Sequence, residues 1–351
     1  MTQKRLRIGI LFGGPSSECE ISLESGRHIY NNLDERSCER VPIFVDLERR
    51  FWEIDEVLLW MNTTADITEA LVESEAVRIP YEALPDRIDF AFLGLHGKYG
   101  EDGCLQGLLE ILNVPYNGSG ILGSAIGMDK HFQRKLLVGA GLRVPQHLGI
   151  MIDAWQKDRE ALERRIASEI GFPCIVKPSR EGCSLALAKV GTQETLNQAM
   201  TAAFEWDNLI LIEEFIDAME VTCTVLGNDR PEALIPTETP KHGDFLTVEE
   251  KFLPGNAPMI TPPRASATEI ERMRALFVRA YQALNLSVYA RIDAFWRDGE
   301  LIILEPNTLP GVTPSTMVFH QAAEAGITPR EFFDQVIELS LEAYHDKIGP
   351  L

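Results

Sequence analysis

YARIDAFWRDGELIILEPNTLPGVTPSTM, residues 289–317, sets two short apolar runs around an Asp-Gly turn. Arg291 and Asp293 interrupt the first arm, Glu305 and Asn307 the second. The pattern reads as a β-hairpin. An acid on an apolar strand is costly unless it is paired or holds a metal. Two carboxylates and an amide oxygen are hard donors of the kind Mg²⁺ accepts, usually alongside substrate phosphates. A surface hairpin with solvated acids fits the same letters.

Register separates the two readings, because a slip of one residue reverses the face a side chain occupies. A two-residue turn, Asp298-Gly299, would pair Arg297 with Glu300 and set Asp293 opposite Leu304, leaving Glu305 on the other face. A three-residue loop, Arg297-Asp298-Gly299, sets Arg291 opposite Glu305 and Asp293 opposite Ile303. The metal reading therefore predicts the three-residue loop.

Working outward, the 351 residues suggest two or three domains with ample core. The 45% hydrophobic and 25% charged content is that of a globular protein. No apolar run reaches the roughly 18 residues of a membrane span. The apolar start is too short for a signal peptide and runs into a strand-turn pattern, so a cytoplasmic protein is expected. The six cysteines lack metal-finger spacing, so reduced thiols are expected. A net charge of −20 argues against nucleic acid as a partner and requires a local basic cluster for any anionic ligand.

LRIGILF (6–12) reads as a strand running into the glycine turn 13–18, with a helix from about Ser22. That is a cradle for phosphate or carboxylate. It lacks GxGxxG and a later acid, which speaks against a nicotinamide-dependent oxidoreductase. VPIFVD (41–46) is a second strand, and 55–85 is acidic and irregular. DFAFLGLHGKYGEDG (89–103) is a third strand and a glycine-rich loop with His96, Lys98, Glu101 and Asp102. His96 alone also fits a hydrogen-bonding strand-end histidine. SAIGMDKHFQRKLLVGAG (124–141) reads as one helix carrying Lys130. VPQHLGIMI and GFPCIVKPSREGCSLALAKV are strands, with Lys177 at an apolar strand end, where lysine is rarely left unpaired. Their strand-loop-strand is a plausible triphosphate cover, though not a P-loop. Glu213 and Glu214 end one strand and Glu220 starts another; either strand-end acid could meet a nucleotide or solvent. The irregular stretch 236–263, with Lys251, has the character of a lid. An amphipathic helix spans 266–284, and the C-terminal helix looks structural.

Taken together, GGPSSECEISL (13–23), LHGKYGEDGCLQGLLEILNVPYNGSGILGSAIGMDK (95–130), VKPSREG (176–182), LIEEFI (211–216), EEKF (249–252), RIDAF (291–295) and EPNTLPGVTPST (305–316) resemble the D-alanine–D-alanine ligase family of ATP-grasp enzymes over nearly the whole chain. The resemblance implies an α/β (α+β) fold of three domains. A Rossmann-like domain (1–118) binds the first substrate. A central domain (119–213) and a C-terminal domain with metal site and lid (214–351) clasp ATP. It implies peptidoglycan-precursor synthesis through an acyl phosphate, two Mg²⁺ (or Mn²⁺) ions and a homodimer; the lack of a long apolar run predicts no membrane partner.

Carried onto this sequence, the resemblance implies that Lys130, Lys177 and Lys251 neutralise the triphosphate and that Glu213 and Glu220 contact adenosine. Asp293, Glu305 and Asn307 would hold the metals. Arg291 and the backbone N–H of Gly311 would stabilise an oxyanion. Glu18 would hold the first ammonium with His96 nearby, Ser315 and Thr316 the second carboxylate, and Ser184 belongs to the catalytic set.

The departures sit together. Cys183 stands where the family has a serine, and Ala186 where it has a glycine. Phe252 replaces the tyrosine whose hydroxyl meets that serine, and Pro306 replaces an aliphatic residue. A thiol is a weak donor. Related ligases that make D-alanyl–D-lactate also lack that tyrosine. A different acceptor, another dipeptide, or a non-catalytic nucleotide-binding relative are therefore the alternative readings.

Overall fold

The first apolar run becomes β1 (Leu6–Gly13), which lies between two parallel neighbours, β2 (Cys38–Val45) and β5 (Phe90–Leu93). The computed structural model describes residues 5–182, 186–240 and 259–348. β3 (Phe51–Glu53) and β4 (Val77–Ile79) complete the sheet in the order β4-β3-β2-β1-β5. The segment 55–85, expected to be irregular, thus supplies a strand. It also forms a helix, Thr64–Ala70, started by a capping box between Thr63 and Asp66. The helix after β1 runs Cys19–Asn32, three residues earlier than expected. Ser22 inside it accepts from the Gly13 N–H at 2.8 Å and donates to the Gly94 carbonyl at 2.8 Å. It thereby ties the ends of β1 and β5 to one helix. Those carboxyl ends, where connections leave in opposite directions, are where open α/β sheets bind ligands.

A second sheet is antiparallel, in the order β6 (His147–Met151), β9 (Leu209–Glu214), β7 (Cys174–Pro178), β8 (Ala188–Val190). Glu213 faces Ile175 and Lys177 faces Leu211. With a side-chain period of two, Glu213 and Lys177 are diagonal neighbours on one face.

The third sheet holds β10 (Met219–Leu226), β11 (Glu232–Ala233), β12 (Thr237–Glu238), β13 (Tyr289–Arg297) and β14 (Glu300–Asn307). Its hairpin corrects the register expectation. Arg297 pairs with Glu300, so the loop is the two-residue turn, with Asp298 (φ 54°) and Gly299 (φ 77°) both left-handed. The shared face survives for another reason. A bulge falls between Asp293 and Ala294: Ala294 pairs with Ile303, but Asp293 pairs with Glu305 and Arg291 with Asn307. Leu304 is the extra residue, and it flips everything beyond it back onto Asp293's face.

The expected single helix around Lys130 is two helices, Gly120–Met128 and Lys130–Gly139, broken at Asp129. The Asp129 carboxylate accepts from the Phe132 N–H at 2.9 Å and so starts the second helix. Three cores result. Residues 148–212 form one under the β6–β9 sheet. Ile126, Leu137 and Leu142 pack instead with β10, β13 and β14. The C-terminal helix, Pro329–Ile348, buries Phe332 and Phe333 against the N-terminal core, a contribution of about 2 kcal/mol for each ring.

Candidate functional site

The bulged hairpin presents one polar row. Asp293 sits at its centre, buried. Its two oxygens accept from Arg291 Nε at 2.9 Å and Nη2 at 3.0 Å. Thr222, opposite Asp293 on β10, donates at 2.6 Å, and Asn307 Nδ2 donates at 3.2 Å. Burial works against the Arg291 guanidinium's charge, but Asp293, with Glu101 and Glu305, more than offsets it and holds the group above its ordinary value. Glu220 belongs to the same face, two residues before Thr222 and opposite Phe295.

Two lysines approach, one from the start of the helix Lys130–Gly139 and one from β7. Lys130 Nζ donates to the Glu181 carbonyl at 2.7 Å and stands 3.5 Å from Glu305 Oε2. Lys177 Nζ is 2.9 Å from Glu213 Oε1 and 3.9 Å from Glu305 Oε2. Burial lowers the Lys177 ammonium's pKa, and Glu213 and Glu305 only partly restore it. Glu305 is therefore the hinge of the charge network, facing Asp293 across the ladder and both lysines across the gap.

The third wall comes from the N-terminal domain. Glu18 precedes the helix Cys19–Asn32 and is buried. A Cβ on Gly97 would come within 2.9 Å of its Oε2, and one on Gly182 within 2.8 Å. A side chain at either position would push the Glu18 carboxylate aside, because it lies against their backbones. His96 uses both ring nitrogens, Nε2 with Ser25 Oγ at 2.9 Å and Nδ1 with the Leu309 carbonyl at 3.0 Å. Since a carbonyl only accepts, Nδ1 carries the hydrogen and Ser25 donates to Nε2. Burial holds this imidazole's pKa below the ordinary value.

Glu101 stands in the glycine-rich loop named above, where the sequence reading gives it no role. Its carboxylate accepts from the Gly97 N–H and from the Leu309 N–H, each at 2.9 Å. Leu309 is thus gripped at its N–H by Glu101 and at its carbonyl by His96, which registers the loop 308–312 against the N-terminal domain. Burial, with the charge of Glu18, pushes the Glu101 carboxyl up to about 7. The buried Arg134, also passed over, stands 2.5 Å from Glu213 Oε2. The signal available for it was its place one helical turn after Lys130.

Glu18, His96, Glu101, Lys130, Arg291, Glu305, Asn307 and Gly311 line one cleft. Asp293 stands behind Arg291, and Lys177 and Glu213 behind Glu305. Ser315 and Thr316 are not in that lining; the Thr316 hydroxyl donates to the Thr313 carbonyl at the start of the helix Met317–Glu324. Ser184 and Lys251 lie outside the described residues, as do Cys183 and Phe252. Ala186 is described and has φ 50°, a left-handed conformation in which the family's glycine would be unstrained.

Residues 7–119 match the family model described as the D-ala D-ala ligase N-terminus, and residues 136–338 match that of the D-ala D-ala ligase C-terminus. The chain belongs to the D-alanine–D-alanine ligase family. The chain is 34% identical to a D-alanine–D-alanine ligase of Geobacillus thermodenitrificans, over 98% of this chain and 97% of that protein. Among solved structures, it is similar to a D-Ala:D-Ser ligase of Enterococcus faecalis, with TM-score 0.84 and 27% identity over 96% of this chain and all (100%) of that one. It is also similar to a Bacillus anthracis D-alanine–D-alanine ligase complexed with ATP, with TM-score 0.73 and 30% identity over 99% of this chain and 100% of that one. The fold is ATP-grasp, and as a member of this ligase family the chain is an ATP-dependent enzyme acting on small molecules. The five described cysteines are free thiols, and among the described residues no helix is long and apolar enough to cross a membrane.

The donor set suits a magnesium ion. Asp293 and Glu305 face each other directly, a destabilising placement for like charges that Arg291 and Lys130 relieve from the side and a cation between them would relieve further. Among the described residues no three His, Cys, Asp or Glu side chains form a closed cage. Two carboxylates and an amide make an open set, as Mg²⁺ shared with phosphates requires.

Proposed function

We propose that this ligase joins two D-alanines for peptidoglycan precursor synthesis in the cytoplasm, through three domains divided near 118 and 213, as a homodimer. The observation that carries the reading is the single cleft in which Glu18 faces Arg291 while Lys130 stands beside Glu305. The first D-alanine places its ammonium at Glu18. Its carboxylate lies toward Arg291 and attacks the γ-phosphorus of ATP, releasing ADP and leaving an acyl phosphate. The amine of the second D-alanine adds to the acyl carbon, Arg291 and the Gly311 N–H stabilise the oxyanion, and phosphate departs as the C–N bond is kept. Lys130, Lys177 and Lys251 offset the triphosphate charge, and Glu213 and Glu220 contact adenosine. Ser315 and Thr316 receive the second carboxylate, and Ser184 joins the catalytic set. Asp293, Glu305 and Asn307 would hold two magnesium (or manganese) ions, which when bound neutralise charge on the transferring phosphoryl group.

Ala186 in a left-handed conformation, three residues after Cys183 and with Phe252 for tyrosine, favours one second reading: an acceptor other than D-alanine. Phosphate release is measured with D-alanine alone, then with D-lactate or D-serine added, and products are identified by mass. Turnover with D-alanine alone giving the dipeptide supports the main reading. Turnover only with a second acceptor supports the alternative. ATP binding with no phosphate release for any pair would overturn both and leave a non-catalytic relative.

A further inference from the structure

Lys130, Gln133 and Arg134 share the buried face of one helix, at the i, i+3, i+4 spacing that stacks side chains. Lys130 reaches the cleft. Arg134, one turn on, has no exposed surface, and its Nε, Nη1 and Nη2 make no hydrogen bond among the described residues. Its guanidinium meets one carboxylate, that of Glu213, as a charge contact at 2.5 Å rather than as an aligned hydrogen bond. Glu213 is equally buried, at the end of β9 between His147 on β6 and Ile175 on β7.

Glu213 has two cationic neighbours of different kinds. Lys177 is shared with Glu305, which lines the cleft. In the reading above it turns toward triphosphate oxygens when nucleotide binds. Arg134 is enclosed and cannot follow. Burial alone would neutralise Glu213, but Arg134 and Lys177 together hold its carboxyl below the ordinary range. Once nucleotide engages Lys177, that task falls to Arg134.

We propose that Arg134 is a positioning residue that keeps Glu213 a carboxylate facing the nucleotide base, and so makes the site select a 6-amino over a 6-oxo purine. An anionic acceptor takes a hydrogen bond from adenine's amine and repels the carbonyl oxygen of hypoxanthine. A neutral carboxyl can donate to that oxygen instead, so losing the guanidinium removes the basis of discrimination. A site with a buried group left unmatched rejects the wrong ligand far more strongly than a merely apolar pocket does.

This rests on Glu213 contacting the base, so the experiment separates the two claims. ADP formation is measured with ATP and with ITP for wild type, Arg134→Lys, Arg134→Gln, Arg134→Met and Glu213→Gln, with thermal melting as the folding control. The ratio of kcat/KM for ATP to that for ITP is expected to fall about tenfold or more in Arg134→Gln and Arg134→Met, chiefly through KM, and to be largely kept by Arg134→Lys. A purely packing role would lower both nucleotides' rates together and leave the ratio unchanged; that result overturns the proposal. If Arg134→Met does not fold, the Lys and Gln variants carry the comparison. An unchanged ratio in Glu213→Gln refutes the base contact itself. A changed ratio there with an unchanged one in Arg134→Gln refutes only the role of Arg134.

Discussion

Arg291 and Asp293 form the most exposed weakness of the bulged hairpin, and a double-mutant cycle across them has a calculable outcome. Their side chains are only 10% and 11% exposed, and two parallel hydrogen bonds of 2.9 and 3.0 Å join them. Arg291→Met leaves a buried carboxylate with Thr222 and Asn307 as its remaining donors. Asp293→Asn keeps an oxygen for Thr222 but leaves the guanidinium buried beside a neutral amide. Removing one partner of a buried ion pair costs about 3–5 kcal/mol, because the other charge is stranded. The double variant strands neither charge, so it is expected to cost about 3 kcal/mol rather than the summed 6 or more. Urea unfolding of the four proteins in EDTA, with m-values compared, measures the difference. The expected coupling is about 3 kcal/mol. Costs that add within about 0.5 kcal/mol would show that each side chain is stabilised by its other neighbours and that the pair is not the unit described here.

Three further outcomes follow from single contacts. Glu101 ionises near pH 4.5 when unfolded but near 7 in the fold, so stability is fully present below the lower value and falls as pH rises between them, by about 3 kcal/mol; Glu101→Gln should flatten that slope in denaturant titrations from pH 4 to 8. Gly182→Ala should raise the KM for the first amino acid about tenfold or more by displacing Glu18, whereas Gly191→Ala, where a Cβ meets nothing within 4 Å, should not; equal effects would contradict the close approach. Lys130→Met should raise the KM for ATP more than that for D-alanine, and a purely amino-acid effect would move Lys130 out of the phosphate region.

Much of the fold was legible in the sequence because apolar runs and glycine turns are local signals. β1 with its following turn, the strand that carries Lys177, the strand that carries Glu220 and the capped helix Ala267–Ala283 all lie where periodicity put them. The family, and with it the ATP-grasp fold, was legible in the ordered blocks. The hairpin shows where local reading stops. Its letters gave two arms, an Asp-Gly turn and four polar residues, but not the register. The turn chemistry of Asp298-Gly299 won at the tip, and pairing with β10 and the row formed by Thr222, Asp293 and Glu305 accompanies a bulge at Leu304. No window of a few residues encodes that compromise, because half of it lies about seventy residues upstream. Glu101 and Arg134 were missed for the same reason: each draws its meaning from a partner far off in the chain, Leu309 or Glu213. By itself the sequence determined which residue types were present and in what local conformation. Only the tertiary structure decided which charges share a buried space, since burial and proximity, not composition, determine whether a carboxylate is a solvated surface group or part of a site.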